Sequence, residues 1–186
     1  SVEDALGRIL SMVHELEPQE KPILEAMGQV LAEDVIAPID VPPLANTSMD
    51  GYALQHTDVA GADPSSPVPL KIIGHVAAGY VGDTTVQRGT TIRIMTGAPI
   101  PKGADSVVPF EETDEVKRRK AGLPLNEVVI LAALPLGSNV RAAGEDVARG
   151  DLVLQAGTVI RPAEVGVMAS LGMKKVAVIR SPVISI

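Results

Sequence analysis

The sequence predicts a β-rich α+β protein in which a mixed α/β unit is interrupted by an inserted all-β domain. Helical periodicity is found towards the two ends of the chain, whereas short β-rich runs separated by Gly, Pro and Asp fill the middle. With two tyrosines, one phenylalanine and no tryptophan, any core has to be assembled from small aliphatic side chains. We expect the mixed unit to comprise residues 1–43 and 138–181, and the inserted domain residues 44–137.

The N-terminal part of the mixed unit is expected to contain two helices and a strand. Apolar residues recur at the spacing of one helical face over 1–16, and Ser1 is a candidate N-cap. His14 would lie in the last turn of that helix, as a surface residue that complements the helix dipole. A second, short helix is predicted over 21–28, because a proline opens this stretch and a glycine ends it, and a strand is predicted over 30–36.

The inserted domain is predicted to consist of strands joined by turns. A turn at Asp50-Gly51 leads into the first strand. The other strands are expected over 69–76, 91–96, 106–110 and 127–133. Glu111 and Glu112 follow a strand and are interpreted as surface residues. The basic run 117–120 is interpreted as a solvated loop tip, with a phosphate-binding patch as the alternative, because short charge runs usually lie on the surface.

The C-terminal part of the mixed unit is predicted to contain a strand over 152–154, a helix over 162–172 and a strand over 175–179. The last residues, 182–186, have the apolar pattern of a further strand. Such a strand needs a sheet to join, so its sequence suggests a chain that is cut at a domain border.

Composition and charge argue against several classes of function. The longest apolar run, 128–136, contains Pro135 and is shorter than the roughly 20 residues that cross a bilayer, so no membrane span is expected. A net charge of −7 argues against a general nucleic-acid binder. The absence of cysteine excludes disulfides and thiolate chemistry and fits a cytoplasmic location. The scarcity of aromatic residues argues against a carbohydrate-binding β domain, since such domains stack sugars on aromatic rings.

The stretch 42–54 contains the first candidate site. Asn46, Thr47 and Ser48 favour local side-chain hydrogen bonds over a regular strand ladder, so the chain should bend here. Asp50 would then lie at the mouth of the following strand, a suitable place for a ligand to a metal or an anion. The alternative is an ordinary hairpin turn capped by an aspartate.

The stretch 93–108 contains the second candidate site, a strand that runs into a Gly/Pro loop and out into another strand. Thr96 lies at the end of the first strand and is followed by Gly97, whose bare backbone can approach a ligand closely. Together they could hold an anionic oxygen through hydroxyl and N–H donors. The alternative is a long β-hairpin loop that is stiffened by prolines.

Three motifs resemble those of the molybdopterin molybdotransferases of the MoeA type, to which the E domain of gephyrin is related. Residues 45–53 are similar to the signature (D/A)-N-S-A-M-D-G-Y-A, although Leu44-Ala45 precedes Asn46 where many relatives carry a polar residue. Residues 93–108 match R-I-x-T-G-A-P-(V/I)-P-x-G-A-D-(A/S)-V-V at every specified position. Residues 141–146 are similar to R-x-x-G-(E/S)-D.

This resemblance implies an enzyme that inserts molybdate into adenylylated molybdopterin and releases AMP with the help of Mg²⁺. It implies that Asp50, Thr96 and Asp146 are catalytic, that Asp50 and Asp146 hold the metal, and that Thr96 and Gly97 bind the anionic substrate. Oxygen ligands suit a hard cation, and this chemistry needs neither a thiol nor an imidazole.

The same resemblance implies a homodimer in which the other subunit completes the site, and an upstream protein or domain that adenylylates molybdopterin. It also implies that residues 182–186 begin a missing C-terminal molybdopterin-binding domain, so that the fragment would be inactive alone. Two units of fewer than about 100 residues each have small cores, which independently favours association. The alternative function is a non-catalytic dimerisation or scaffold module of the gephyrin type. His56 and His75 have no partner at metal-ligand spacing and are interpreted as structural.

Overall fold

The computed structural model describes residues 1–184. Within them the chain forms two compact units, which we call the split unit (Ser1–Val41 and the residues from Val147 onward) and the inserted unit (Pro42–Asp146). The predicted β-rich α+β class is confirmed. In chain order the helices and strands are α1 (Val2–Leu10), β1 (Pro18–Pro22), β2 (Val35–Ile36), β3 (Asn46–Thr47), β4 (Gly51–Leu54), β5 (Val68–Val76), β6 (Thr90–Ile94), β7 (Ser106–Pro109), α2 (Glu115–Lys120), β8 (Glu127–Ile130), β9 (Val140–Arg141), β10 (Leu152–Leu154), α3 (Pro162–Ser170) and β11 (Lys175–Ile179).

The split unit combines two antiparallel strand pairs with α3. β1 pairs with β11, so that Pro18 lies opposite Ile179, and β2 pairs with β10. Both parts of the sequence contribute to its core, which includes Ile23, Leu31, Val35, Ile160, Met168, Val176 and Val178. The three elements predicted after residue 150 are confirmed as β10, α3 and β11.

α1 is shorter than the helix predicted over 1–16. Ser1 caps it as expected, because Ser1 Oγ accepts a hydrogen bond from the Asp4 backbone N–H at 3.2 Å. The helix nevertheless ends at Leu10, and His14 lies beyond it. Every residue of α1 is exposed, so the helix lacks the packing contacts that normally stabilise a short amphipathic helix.

The helix predicted over 21–28 is wrong. This stretch begins in β1 and continues as a single 3₁₀ turn at Ile23–Glu25. The backbone N–H of Ile23 donates to the Lys174 carbonyl at 3.1 Å, and a partner this distant in sequence leaves no trace in a local pattern. The strand predicted over 30–36 is confirmed only at its end, as β2, while its first residues form isolated bridges.

The inserted unit contains a five-stranded sheet in the order β7-β4-β6-β5-β8. Neighbouring strands are antiparallel except β5 and β6, which are parallel. Both faces of the sheet are covered. One buries Tyr52, Leu54, Val108, Val128 and Ile130, and the other buries Ala53, Ile92, Ile94 and Val107. The strands predicted in this unit are confirmed with slightly different ends.

The inserted unit is not purely β, because it contains α2. The basic run 117–120, interpreted from the sequence as a loop tip, lies in this helix. Asp114 pairs with Arg118 at 2.7 Å, and Glu115 pairs with Arg119 at 2.8 Å. Acidic residues placed four positions before basic ones stabilise a helix. This spacing in the sequence was the sign that residues 115–120 form a helix.

The boundaries of the inserted unit differ from those predicted. Because β9 pairs with β3, residues 138–146 belong to this unit, and the chain returns to the split unit at Val147. Of the strand predicted over 182–186, residues 182–184 are not assigned to a strand, and Ser185 and Ile186 lie outside the described residues. Over residues 1–184 every helix is too short or too polar to cross a lipid bilayer.

Candidate functional site

Asp50 and Thr96 form the centre of the candidate site. Asp50 directly precedes β4, and Thr96 follows β6 by two residues, so the antiparallel pairing of these strands brings the two side chains together. Asp50 Oδ1 accepts a hydrogen bond from the Thr96 backbone N–H and another from Thr96 Oγ1, both at 2.7 Å. The structure therefore brings together two of the three residues predicted to be catalytic.

The two hydrogen bonds from Thr96 favour the ionised form of Asp50. The backbone N–H of Thr96 lowers the pKa of Asp50 most, the Thr96 hydroxyl lowers it further, and both outweigh the opposing effect of burial. Within residues 1–184, Asp50 Oδ2 makes no hydrogen bond. Asp50 is thus an ionised carboxylate with one oxygen fixed by the protein and the other directed away from those bonds.

A set of local bonds holds the turn that carries Asp50. The buried Thr47 side chain donates to the Met49 carbonyl at 2.9 Å and accepts from the Met49 N–H at 3.1 Å. Gly51 follows at the start of β4, where it pairs with Pro109 of β7. A Cβ atom added at Gly51 would overlap the carbonyl oxygen of Val108, so only glycine fits there.

The donors that were expected to bind an anion are already in use. The N–H and hydroxyl of Thr96 both donate to Asp50. Gly97, which has a φ of 80°, donates its N–H to the Thr47 carbonyl at 2.9 Å. In this conformation Thr96 and Gly97 therefore position Asp50 and the turn before it, rather than presenting free donors to a ligand.

Asp146, the third predicted catalytic residue, is held by Arg141. The Arg141 guanidinium donates to Asp146 Oδ1 at 2.7 Å and approaches Glu145 at 3.5 Å. β9 carries Arg141 opposite Asn46 of β3. Neither Asp50 nor Thr96 makes a hydrogen bond or ion pair with Asp146 in the part of the chain that is described. The predicted convergence of all three side chains therefore stays a prediction.

The carboxylates of the candidate site fit one of the two ways in which proteins hold a divalent cation. Among residues 1–184, no three His, Asp or Glu side chains cluster closely enough to form a protein-only metal cage. Mg²⁺ is, however, commonly held by one or two carboxylates together with water and substrate oxygens. The free oxygen of Asp50 suits that second mode.

An apolar hollow lies beside the Thr96-Gly97 turn. It has a volume of about 220 Å³, and most of its lining residues are apolar or glycine: Pro43, Leu44, Asn46, Gly79, Val81, Gly97 and Pro99. Gly97 links this hollow to the site, whereas neither Asp50 nor Thr96 is among the residues that line it.

A histidine–aspartate pair in the inserted unit was missed. Asp105 Oδ1 accepts from the His56 backbone N–H at 2.8 Å, and Asp105 Oδ2 lies 2.9 Å from His56 Nδ1. Burial opposes ionisation of Asp105, but the bonds from His56 outweigh it and lower the pKa of Asp105. Forty-nine positions separate the two residues in sequence, so no local spacing could have indicated the pair.

A buried ion network was missed as well. Glu115, whose side chain is 3% exposed, accepts from Tyr52 Oη at 2.8 Å, Arg93 Nε at 2.9 Å and Arg119 Nε at 2.8 Å. Burial acts to raise the pKa of Glu115, but these three donors reverse the effect and lower it. Burial raises the pKa of Tyr52, and its bond to Glu115 raises it further. The Arg93 guanidinium also lies over the rings of Tyr52 and Phe110, 5.4 and 5.7 Å from their centroids.

Comparison with known proteins agrees with the motifs. Residues 1–172 match the family described as the MoeA N-terminal region (domain I and II). Molybdopterin molybdenumtransferase 2 of Mycobacterium tuberculosis H37Rv is 37% identical over 179 residues, which make up 96% of this chain and 42% of that protein. The molybdopterin molybdenumtransferase of Staphylococcus epidermidis ATCC 12228 is 34% identical over 186 residues, 100% of this chain and 42% of that protein.

Solved structures agree with the fold. The crystal structure of the molybdopterin biosynthesis MoeA protein from Pyrococcus horikoshii OT3 matches with a TM-score of 0.85 and 35% identity, over 97% of this chain and 46% of that one. The chain thus spans less than half the length of these relatives. By its motifs, its fold and these matches, the chain belongs to the MoeA family and corresponds to that family's N-terminal region.

Proposed function

We propose that this chain acts in molybdenum cofactor biosynthesis, as the N-terminal region of an enzyme that inserts molybdate into adenylylated molybdopterin and releases AMP. The relatives are named molybdopterin molybdenumtransferases, and all three family motifs are present. The observation that supports the proposal most directly is the Asp50–Thr96 contact, in which two donors hold one carboxylate oxygen and leave the other free.

In this proposal Asp50 is the residue that meets the reacting groups. Thr96 lowers the pKa of Asp50 and fixes the orientation of its carboxylate, so that its free oxygen is presented in one direction. Asp50 and Asp146 would hold Mg²⁺, which when bound supplies positive charge to the oxygens of the anionic substrates. Arg141 holds Asp146 in place through an ion pair at 2.7 Å.

The proposed function also implies how the protein assembles and where in the cell it acts. The site would be completed by a second copy of the chain in a homodimer and by a molybdopterin-binding region, so the 186 residues alone would be inactive. Adenylylated molybdopterin would come from a protein or domain that carries out the preceding adenylylation. The lack of cysteine fits a cytoplasmic enzyme. The net charge of −7 argues against a nucleic-acid partner, and no membrane partner is expected.

The test is Asp50→Asn in the full-length protein that contains this region, with molybdate-dependent AMP release as the readout. Asparagine keeps the size of the side chain but removes the charge, so we expect AMP release to fall by at least about a hundredfold, a typical effect of losing a catalytic carboxylate. Asp63→Asn, a change in an exposed turn of the same unit, is the matched control. Undiminished release in Asp50→Asn would refute the role of Asp50.

One observation favours the second candidate, a non-catalytic dimerisation or scaffold module. Val2, Leu6, Ile9 and Leu10 expose between 54% and 80% of their surface along α1, and exposed apolar faces commonly mark association sites. Under this alternative light scattering would give the mass of a dimer, while AMP release by the full-length protein would not depend on Asp50.

A further inference from the structure

A cavity of about 390 Å³ in the inserted unit lies against the face of the sheet that carries Tyr52. Its walls include Ile72 and Leu125, which are apolar, while Arg93, Arg119 and His75 contribute nitrogen groups. The volume lies within the roughly 300–1,000 Å³ that small-molecule pockets occupy, and apolar walls with a few convergent polar groups are typical of such pockets. None of the residues that line this cavity has a role in the function proposed above.

Strand register explains why these groups share one face. Tyr52 of β4 lies opposite Arg93 of β6, and Arg93 lies opposite His75 of β5, so the three form a row across three strands. Side chains alternate along a regular strand, so Ile72 and His75 would ordinarily point to opposite faces. A shift in register between Ile72 and Gly74 inserts one extra residue in β5. This bulge brings His75 to the face that carries Ile72.

The charges around the cavity do not cancel. Glu115, whose side chain is 3% exposed, pairs with the guanidinium groups of both Arg93 and Arg119. One positive charge therefore remains in excess, in a chain whose net charge is −7. A ligand in the cavity would meet cationic donors first and the carboxylate last.

Free donors are available at the opening. The donors of Arg93 are engaged by Glu115 and by the carbonyls of Gly51 and Ile94. Arg119 uses only Nε, on Glu115, so within residues 1–184 its two terminal nitrogens make no hydrogen bond. Its side chain is 60% exposed, and that bond to Glu115 orients the planar guanidinium. His75, on β5, is also exposed.

We propose that this cavity binds a small organic oxyanion, with a carboxylate or phosphate group held by Arg119 and His75 and an apolar body packed against Ile72 and Leu125. A planar guanidinium with two free nitrogens fits the two oxygens of either group in a fork. Arg93 contributes charge rather than hydrogen bonds. The site is separate from Asp50, whose carboxylate does not line this cavity.

The experiment is a titration of the isotope-labelled 186-residue chain with phenyl phosphate, benzoate and inorganic phosphate, followed by amide NMR shifts. We expect saturable shifts at Gly74, His75 and Arg119 with phenyl phosphate, benzoate or both, which identifies the anionic group that the site takes. Inorganic phosphate should bind about tenfold or more weakly, because it lacks an apolar body.

Variants separate this site from general attraction of anions. Arg119→Ala should weaken binding about tenfold, the usual effect of losing a charge-assisted hydrogen bond, and His75→Ala should weaken it severalfold. Lys117→Ala removes the same charge from an exposed position of α2 and should leave binding unchanged. The proposal is overturned if neither organic anion gives saturable shifts, if inorganic phosphate binds as well as they do, if Lys117→Ala acts like Arg119→Ala, or if the shifts centre on Thr96 and Gly97.

Discussion

Thr96 donates twice to the same oxygen of Asp50, through its backbone N–H and through its hydroxyl, each at 2.7 Å. This relationship links the first two sequence motifs across β4 and β6. It also gives the threonine a role that sequence alone did not indicate, because both of its donors act on the carboxylate.

Removing the Thr96 hydroxyl should raise the pKa of Asp50. Thr96→Val keeps the backbone donor and the shape of the side chain but loses the hydroxyl bond that favours the ionised form. The measurement is an NMR titration of the Asp50 carboxyl carbon. Thr96→Ser retains a hydroxyl and should keep the lowered value, so an unchanged pKa in Thr96→Val would show that the hydroxyl has no influence.

Tyr52→Phe should destabilise the inserted unit by about 1–2 kcal/mol, because it removes one of three donors from a buried carboxylate while leaving the ring in place. Equilibrium urea unfolding measures this difference. The control is Tyr80→Phe, since Tyr80 is 72% exposed; a similar loss in both variants would mean that the buried hydroxyl bond contributes nothing specific.

Glu115→Gln should cost about 3–5 kcal/mol near neutral pH, because Arg93 is left buried without a counter-charge. The cost should depend on pH. The pKa of Glu115 is lowered in the folded chain, so its contribution is fully present above the unfolded glutamate pKa of about 4.3 and is lost as pH falls through the folded value.

Unfolding of the wild type and Glu115→Gln across an acid pH series measures that dependence. The two stabilities should approach each other as the pH falls. Glu111→Gln is the matched control, since Glu111 is exposed on the neighbouring 3₁₀ turn and should change stability by less than about 0.5 kcal/mol. A constant difference between wild type and Glu115→Gln at every pH would contradict the prediction.

Gly51→Ala should prevent the inserted unit from reaching its native fold, because the new methyl group would overlap the Val108 carbonyl within the β4–β7 pair. Gly166→Ala, in the middle of α3 with open space around it, should instead stabilise the chain by about 0.5–1 kcal/mol. Circular dichroism and thermal unfolding distinguish the two. A folded Gly51→Ala chain with unchanged stability would show that β4 and β7 can separate locally.

Sequence reasoning succeeded where a local pattern was sufficient. α3 and β11 were predicted because a proline, a glycine and an apolar alternation delimit them. The stretch 21–28 was mistaken for a helix because its first residues belong to β1, whose pairing partner, β11, lies more than 150 residues away. The contact between Asp50 and Thr96 was anticipated only through family motifs, and the network around Glu115 was not anticipated at all. Each of these contacts depends on which strands become neighbours, and local periodicity carries no information about that.

The pairing of β1 with β11 has a consequence for how the chain folds during its synthesis. The inserted unit is complete once Asp146 has left the ribosome, because all five strands of its sheet lie within residues 42–146. The split unit has to wait for Ile179, the partner of Pro18, and at translation rates of about 5–20 residues per second that delay amounts to a few seconds. During this interval Pro18–Pro22 has no strand partner, but its two prolines, Glu20 and Lys21 are residues that disfavour pairing with another chain, so the waiting strand is protected against aggregation by its own sequence.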